Sequence, residues 1–192
     1  MSRSFRIFKC GTFGPKTALA KVLDLNPDLP KKTYQEQKEL IFSKKVSYSD
    51  AFSRAMQALG HQAEEVMADI PWHQMQWARE NGIEFDPAKW QSEVLTAQIR
   101  KYKPEILYFQ GDINLPRNIW DNVKQVFPSV RKTVVHSGFP QNLEALKLAD
   151  LVLVATRSLV RQYSDLVFEV VWFTTISIKT CTNTFSRTNN RE

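Results

Sequence analysis

Cysteine is scarce in the sequence, which has two in 192 residues. Cys10 and Cys181 are far apart in the chain and belong to no Cys-x-x-Cys or Cys/His cluster. The sequence therefore indicates neither a disulfide framework nor a zinc site, and this cysteine usage fits a reducing cytoplasm.

Long hydrophobic runs are missing as well. The longest apolar stretches, such as residues 151–155, are far shorter than the roughly 20 residues that a membrane-spanning helix needs. The N-terminus, Met-Ser-Arg-Ser-Phe-Arg, lacks the apolar core of a secretory signal. We therefore expect a soluble, cytoplasmic protein that makes at most peripheral contact with a membrane.

Glycine is also infrequent, with six residues, and no Gly-x-Gly-x-x-Gly or P-loop occurs. The signatures GxSxG and HExxH and those of protein kinases are absent too. A dehydrogenase or methyltransferase would need a glycine-rich loop of the right spacing, so the sequence argues against these classes. It predicts neither a cofactor nor a metal ion.

The composition that remains is that of a globular protein, with 43% hydrophobic and 24% charged residues. A chain of this length can bury one sizeable core and is short for two domains. The net charge is +6, and the whole excess lies in residues 1–45, which hold ten basic and four acidic side chains. Such a basic region could attract an acidic partner or an anionic membrane, or could be a solvated helix face. No nucleic-acid motif accompanies it, and no nucleic-acid partner is expected.

Strand patterns alternate with helix patterns along the chain. Strand patterns cover residues 5–10, 62–68, 106–109, 133–136, 151–155 and 167–172. Helical patterns cover residues 16–25, 33–45, 51–59, 71–81, 87–102, 118–127, 143–148 and 158–163. This order predicts an α/β fold for residues 1–172, with a doubly wound, mostly parallel Rossmann-like sheet flanked by helices.

Two segments give sharper expectations about burial. Phe52, Ala55, Met56 and Leu59 have the spacing of one helix face, which predicts a core helix capped by Asp50. The continuous apolar run at residues 106–109 suits a central strand that is covered on both faces.

By contrast, residues 173–192 contain six Thr and three Asn without hydrophobic periodicity, and predict an irregular tail. Truncation or a shifted reading frame would also account for that tail.

Candidate site residues follow from the fold, because ligands of doubly wound sheets bind beyond the carboxyl ends of the strands. His136 has a side chain of near-neutral pKa and is a candidate general base, while Asp112 could act as a base or bind an acceptor hydroxyl. Each also has a plain structural role to play in a loop or turn. The candidates for substrate binding are Gly11, Thr12, Phe13, Gly14, Gln110, Ser137, Gly138 and Thr156.

A set of strings, in order along the chain from about residue 30 to Trp172, resembles a known family. The strings are Thr-Tyr-Gln-Glu-Gln at 33–37, Ser-Tyr-Ser-Asp-Ala-Phe-Ser-Arg-Ala at 47–55, Leu-Gly-His-Gln-Ala-Glu-Glu at 59–65, Gln74 with Gln-Trp-Ala-Arg-Glu-Asn-Gly at 76–82, and Gln98-Ile99 with Lys-Pro-Glu-Ile-Leu-Tyr-Phe-Gln at 103–110. Their order and spacing resemble the N-terminal half of bacterial glycosyltransferases with two Rossmann domains, the GT-B kind.

The resemblance implies transfer of a sugar from a nucleotide-sugar to an acceptor hydroxyl, in a cleft between two domains. In that family the first domain mainly holds the acceptor, a sugar or glycan, and the second binds the donor. The chain would then be the acceptor-side half, truncated before the donor half and inactive unless a partner chain supplies it. The alternative is a non-enzymatic interaction domain that docks through Lys31, Lys32, Lys44 and Lys45.

Overall fold

The computed structural model describes residues 3–13, 16–44, 50–164 and 170–172. Gly14, Lys45, the first residues of the sixth predicted strand and the tail at 173–192 lie outside these ranges. No helix within them is long and apolar enough to cross a membrane.

Six strands form one sheet, in which every pairing is parallel. They are β1 (Arg6–Gly11), β2 (Gln62–Met67), β3 (Ile106–Gln110), β4 (Lys132–Ser137), β5 (Leu151–Val154) and β6 (Val170–Trp172). Their order across the sheet is β2-β1-β3-β4-β5-β6. The predicted Rossmann-like α/β fold is confirmed, and β3 is an interior strand as expected.

Nine α-helices lie in the described ranges, together with a 3-10 turn at Leu29–Lys31. They are α1 (Lys16–Leu25), α2 (Tyr34–Ser43), α3 (Ala51–Ala58), α4 (Pro71–Glu80), α5 (Trp90–Tyr102), α6 (Arg117–Trp120), α7 (Val123–Val126), α8 (Leu143–Leu146) and α9 (Arg157–Ser164). Local sequence explains several ends. Thr33 and Glu36 form a capping box that begins α2, and Lys103, with φ +53°, ends α5 ahead of Pro104.

Helices pack on both faces of the sheet. The first face carries Phe8, Cys10, Leu107 and Phe109, and it is covered by buried side chains from α5 to α9, including Leu95, Trp120, Val123, Leu146 and Tyr163. The second face is covered near β2 by a smaller cluster of Phe13, Ile41, Phe42, Met67 and Ile70. Farther along the second face, Tyr108, Val134, His136 and Leu153 are half-buried. The sheet is thus doubly wound, with its larger core on the first face.

The expectation that α3 is a core helix is wrong. Leu59 is 63% exposed, Ala55 is exposed, and Phe52 and Met56 are half-buried. The buried residue of this helix is Ser53, whose backbone N–H donates to Oε1 of Glu65 at 2.7 Å. A buried carboxylate at the first turn therefore sets the rotation of α3 and outweighs its apolar stripe. Asp50 forms an ion pair with Arg54 rather than a side-chain cap.

The helix expected over residues 118–127 is two short helices, α6 and α7, with a break at Asp121 and Asn122. Trp120 is buried, and its Nε1 donates to the carbonyl of Ala145 at 2.8 Å. This bond to α8, which is distant in the sequence, fixes the end of α6. Strand β3 was also expected to be covered on both faces. Only its first face is fully covered, because Ile106 and Tyr108, on the second face, are half-buried.

His73 makes the fold sensitive to acid. It is 1% exposed, its Nδ1 donates to Oε1 of Gln37 at 3.0 Å, and its ring stacks on Tyr34. Burial, with a smaller contribution from Lys38, lowers the pKa of His73 from 6.5 to about 3. The folded protein therefore excludes a proton that the unfolded chain binds as the pH falls below 6.5.

We predict that stability is full above pH 6.5 and falls by about 1.4 kcal/mol per pH unit below it through His73, or about 2 kcal/mol by pH 5. Urea unfolding at pH 7 and pH 5 measures this loss. The variant His73→Gln keeps a donor for Gln37 and should lose about 2 kcal/mol less than the wild type between these pH values. An equal loss in both proteins would contradict the assignment.

Candidate functional site

The order of the strands reverses between β1 and β3, and the loops that follow these strands diverge there. The chain leaves β1 toward α1 and α2, which cover the second face, and leaves β3 toward α6 on the first face. Such a reversal opens a crevice at the carboxyl edge, where doubly wound sheets bind ligands. Gly11 pairs with Gln110, and Gln110 pairs with His136. With neighbouring strands about 4.8 Å apart, these three predicted site residues lie within about 10 Å.

The loop after β1 is pinned by Asp69, which follows β2. The backbone N–H of Phe13 donates to Oδ1 of Asp69 at 2.7 Å, and the carbonyl of Gly11 accepts from Ala68 at 2.9 Å. Burial raises the pKa of Asp69, while its bonds to backbone N–H groups act in the opposite direction. The side chain of Phe13 is 2% exposed and packs in the smaller core. Phe13 therefore anchors the loop and does not present its ring to the crevice.

The first residues of the loops after β1 and β3, Thr12 and Gly111, are neighbours, and the two loops diverge only beyond them. Gly111 has φ +93°, and a Cβ built on it would lie 3.6 Å from Oγ1 of Thr12. The N–H of Gly111 donates to the carbonyl of His136 at 3.1 Å, so this residue links three strand ends. Asp112 is exposed, and its carbonyl accepts from Nδ2 of Asn114.

His136 lies at the end of β4 on the half-buried second face. Burial, and next the positive charge of Lys9, lower the pKa of His136 below its ordinary value of 6.5. At neutral pH the imidazole is therefore uncharged and able to accept a proton. This is the state that a general base requires before reaction.

The loop after His136 is held in place by hydrogen bonds between its backbone and the hydroxyl groups of Ser137 and Tyr163. Ser137 is fully buried, its hydroxyl donates to the carbonyl of Phe139 at 2.7 Å, and Oη of Tyr163 accepts from the N–H of Gln141 at 3.1 Å. Ser137 therefore positions the loop. The same arrangement turns the side chain of Phe139 outward, where it is 81% exposed. The sequence gave no reason to single out Phe139.

Thr156 is separate from this group. It is exposed beyond β5, where its Oγ1 lies 3.0 Å from Oγ of Ser158. Three strand spacings, about 14 Å, separate β5 from β1. The structure thus brings Gly11, Thr12, Gln110, Gly111, Asp112, His136 and Gly138 to one edge, with Thr156 at its far side.

A buried ion pair lies beneath the crevice and was not predicted from the sequence. Nζ of Lys9 lies 2.9 Å from Oε2 of Glu65, with side chains 9% and 1% exposed. The same Nζ lies 4.9 Å from the ring centre of Phe52. The available signal was a lysine in the middle of an apolar strand, at a position that the alternation of side chains turns inward.

Cys10 offers no nucleophile. Its thiol is buried, and burial raises its pKa to about 12, so it stays protonated at neutral pH. Among the described residues, no three His, Cys, Asp or Glu side chains group in a way that could hold a metal ion.

The basic helices present their lysines to solvent. Lys31, Lys32 and Lys44 are exposed, and Lys31 pairs with Asp28 at 3.0 Å. Docking of these lysines on an acidic partner or membrane remains a prediction.

Comparison with known proteins adds no relative. No protein-family model matches the chain, and neither a curated protein nor a solved structure matches it. The class that the fold defines is that of Rossmann-like α/β domains.

We predict that Gly111→Ala lowers the free energy of unfolding by about 1–3 kcal/mol, because L side chains rarely adopt φ +93°. Gly138→Ala is the matched control, since a Cβ there meets no heavy atom of the described chain within 4 Å. Urea unfolding of both variants measures the difference. Equal stabilities of the two variants would contradict a left-handed backbone at residue 111.

Proposed function

We propose that this domain is the acceptor-side domain of a glycosyltransferase that uses a nucleotide-sugar as donor. One observation carries the proposal. A neutral histidine, His136, stands at the carboxyl edge beside Gln110, where the strand order reverses. The resemblance of the strings between residues 33 and 110 to GT-B glycosyltransferases supplies the reaction class.

Sugar transfer to a hydroxyl needs a proton acceptor on the acceptor side. The hydroxyl oxygen forms a bond to the anomeric carbon, the bond from that carbon to the diphosphate breaks, and the hydroxyl proton must leave. His136 takes the proton in this proposal, because its pKa is held below 6.5. Asp112, exposed in the neighbouring loop, accepts a hydrogen bond from an acceptor hydroxyl and helps to orient it.

Phe139 adds an apolar plane at the same edge. Its ring is 81% exposed, although a phenylalanine is ordinarily buried. In the proposal its face packs against the C–H groups of an acceptor sugar, while the backbone at Gly138 leaves room for close approach. Gly11 itself is buried at the end of β1. The leaving diphosphate is neutralised by a separate donor-binding domain, as the resemblance implies.

The interaction-domain alternative has less support. Exposed lysines such as Lys32 and Lys44 are the ordinary state of a protein surface. The crevice, in contrast, gathers a titratable group, a carboxylate and an exposed aromatic ring on adjoining loops.

Binding of sugars tests the proposal. In NMR titrations with a panel of mono- and disaccharides and UDP- and GDP-sugars, we expect weak binding that shifts the amides of Gly111 and Gly138. His136→Gln and Asp112→Asn should each weaken it about three- to tenfold, through loss of a hydrogen bond. Asp24→Asn, an exposed aspartate on α1, is the control and should bind as the wild type. Shifts elsewhere only, or unchanged binding in both site variants, would refute the assignment.

The protonation of His136 can be measured directly. We predict that its imidazole titrates below 6.5 in the folded protein and near 6.5 in urea, because burial and Lys9 act only on the folded state. Any activity with a supplied donor domain should then fall as the pH drops through the folded pKa. A folded pKa above 6.5 would remove His136 from the role of neutral base.

A further inference from the structure

A second cavity lies away from the crevice, beside the edge strand β2. Its volume is about 510 Å³. It is lined by the first residues of β1 and β2, Arg6 and Gln62, and by the end of α5 at Lys101 and Tyr102. It therefore opens toward the amino ends of the strands, whereas the crevice lies at their carboxyl ends.

Polar atoms without partners gather at this cavity. Gln98 is 3% exposed, and its side-chain Nε2 and Oε1 have no hydrogen-bond partner among the described residues. The hydroxyl of Tyr34 is also buried and has none there, and burial raises its pKa. Both residues line the cavity. Folded proteins leave few buried polar atoms without a hydrogen bond. An unpaired atom of this kind therefore favours the binding of a ligand that supplies the missing partner.

The cavity is large enough to hold a small molecule, and not only a single trapped water. A water occupies about 30 Å³ in the liquid, while small-molecule sites have roughly 300–1,000 Å³. The lining is mixed in the way such sites are, because Phe8, Trp77 and Tyr102 supply aromatic surface around the few polar groups. The charges present are Arg6, Lys101 and Glu64, and Glu64 is paired with Lys38.

The unpaired carboxamide specifies the chemistry of the ligand. Its N–H₂ and its oxygen lie side by side in one plane, so full satisfaction requires an acceptor next to a donor in a planar group. Purine edges present this pair, and glutamine reads adenine through N7 and the N6 amino group. Aromatic side chains nearby suit the flat faces of a base. The amide atoms are closed off from solvent, so binding requires the side chain of Gln98 to change rotamer and turn its amide into the cavity.

We propose that this cavity binds a purine nucleoside, free or phosphorylated, with Gln98 pairing with the edge of the base and Tyr34 bonding through its hydroxyl. Glu64 is the group that accepts ribose hydroxyls. The rim cations Arg6 and Lys101 make AMP bind more tightly than adenosine. The site is independent of the sugar transfer proposed for the crevice.

NMR titration of the full chain with adenosine, guanosine and AMP tests the proposal, with glucose and inorganic phosphate as separate probes. We expect the purines to shift the side-chain amide of Gln98 and the ring of Tyr34, while Gly111 and Gly138 at the crevice stay unshifted. No shift with any purine overturns the proposal. So does the same shift with glucose or phosphate alone, which would assign the cavity to another ligand.

Two variants on one helix separate binding from folding. Gln98→Met removes the unpaired amide at similar length, so it should weaken adenosine binding at least about tenfold without lowering the urea midpoint. Gln91→Met, also on α5 but outside the cavity lining, should bind adenosine as the wild type does. Wild-type affinity in Gln98→Met overturns the proposal. A lowered midpoint in that variant does so as well, since it would show that the amide is already satisfied without a ligand.

Discussion

In a parallel sheet, a reversal of the strand order sends the connections on its two sides across opposite faces, and β1 stands at such a reversal. It pairs with β2 on one side and β3 on the other. Because parallel crossovers keep one hand, the segment that leads to β2 covers the second face, and α5, which leads to β3, covers the first. The loops at Thr12 and Gly111 therefore part at one point, and the crevice follows from connectivity before any side chain is chosen.

The Lys9–Glu65 pair links this framework to the electrostatics of the site. A buried pair of charges is costly unless each partner is well satisfied. Glu65 meets that need with Lys9 and the N–H of Ser53, and in doing so fixes the rotation of α3. The positive charge of Lys9 also adds to burial in lowering the pKa of His136. One ion pair thus orients a helix and favours the neutral form of the nearby imidazole.

The fold was predictable because hydrophobic periodicity marks strands and helices locally, and the six strand segments were recognised from it. The burial of α3 was not predictable in this way, since the buried partner of Ser53 is Glu65, which lies twelve residues later in β2, beyond the end of α3 and a turn. The break between α6 and α7 depends on the contact of Trp120 with Ala145, which periodicity cannot register. At the site, strand ends located the residues, but the inward position of Phe13 and Ser137 came from tertiary packing.

The two candidate sites differ in whether their buried polar groups already have hydrogen-bond partners. At the crevice, Asp69 and Ser137 are engaged by backbone and hydroxyl partners, so a ligand there must rely on half-buried or exposed groups such as His136 and Asp112. Hydrogen bonds of this kind contribute about 0.5–1.5 kcal/mol each, which suits the release of the glycosylated acceptor in the reaction that we propose. Beside β2, Gln98 has no hydrogen-bond partner among the described residues, and a ligand that pairs with it breaks no hydrogen bond of that amide within the protein. The cavity is therefore the place where a small, well-matched ligand would raise the stability of the folded chain most, since binding to the native state alone shifts the unfolding equilibrium.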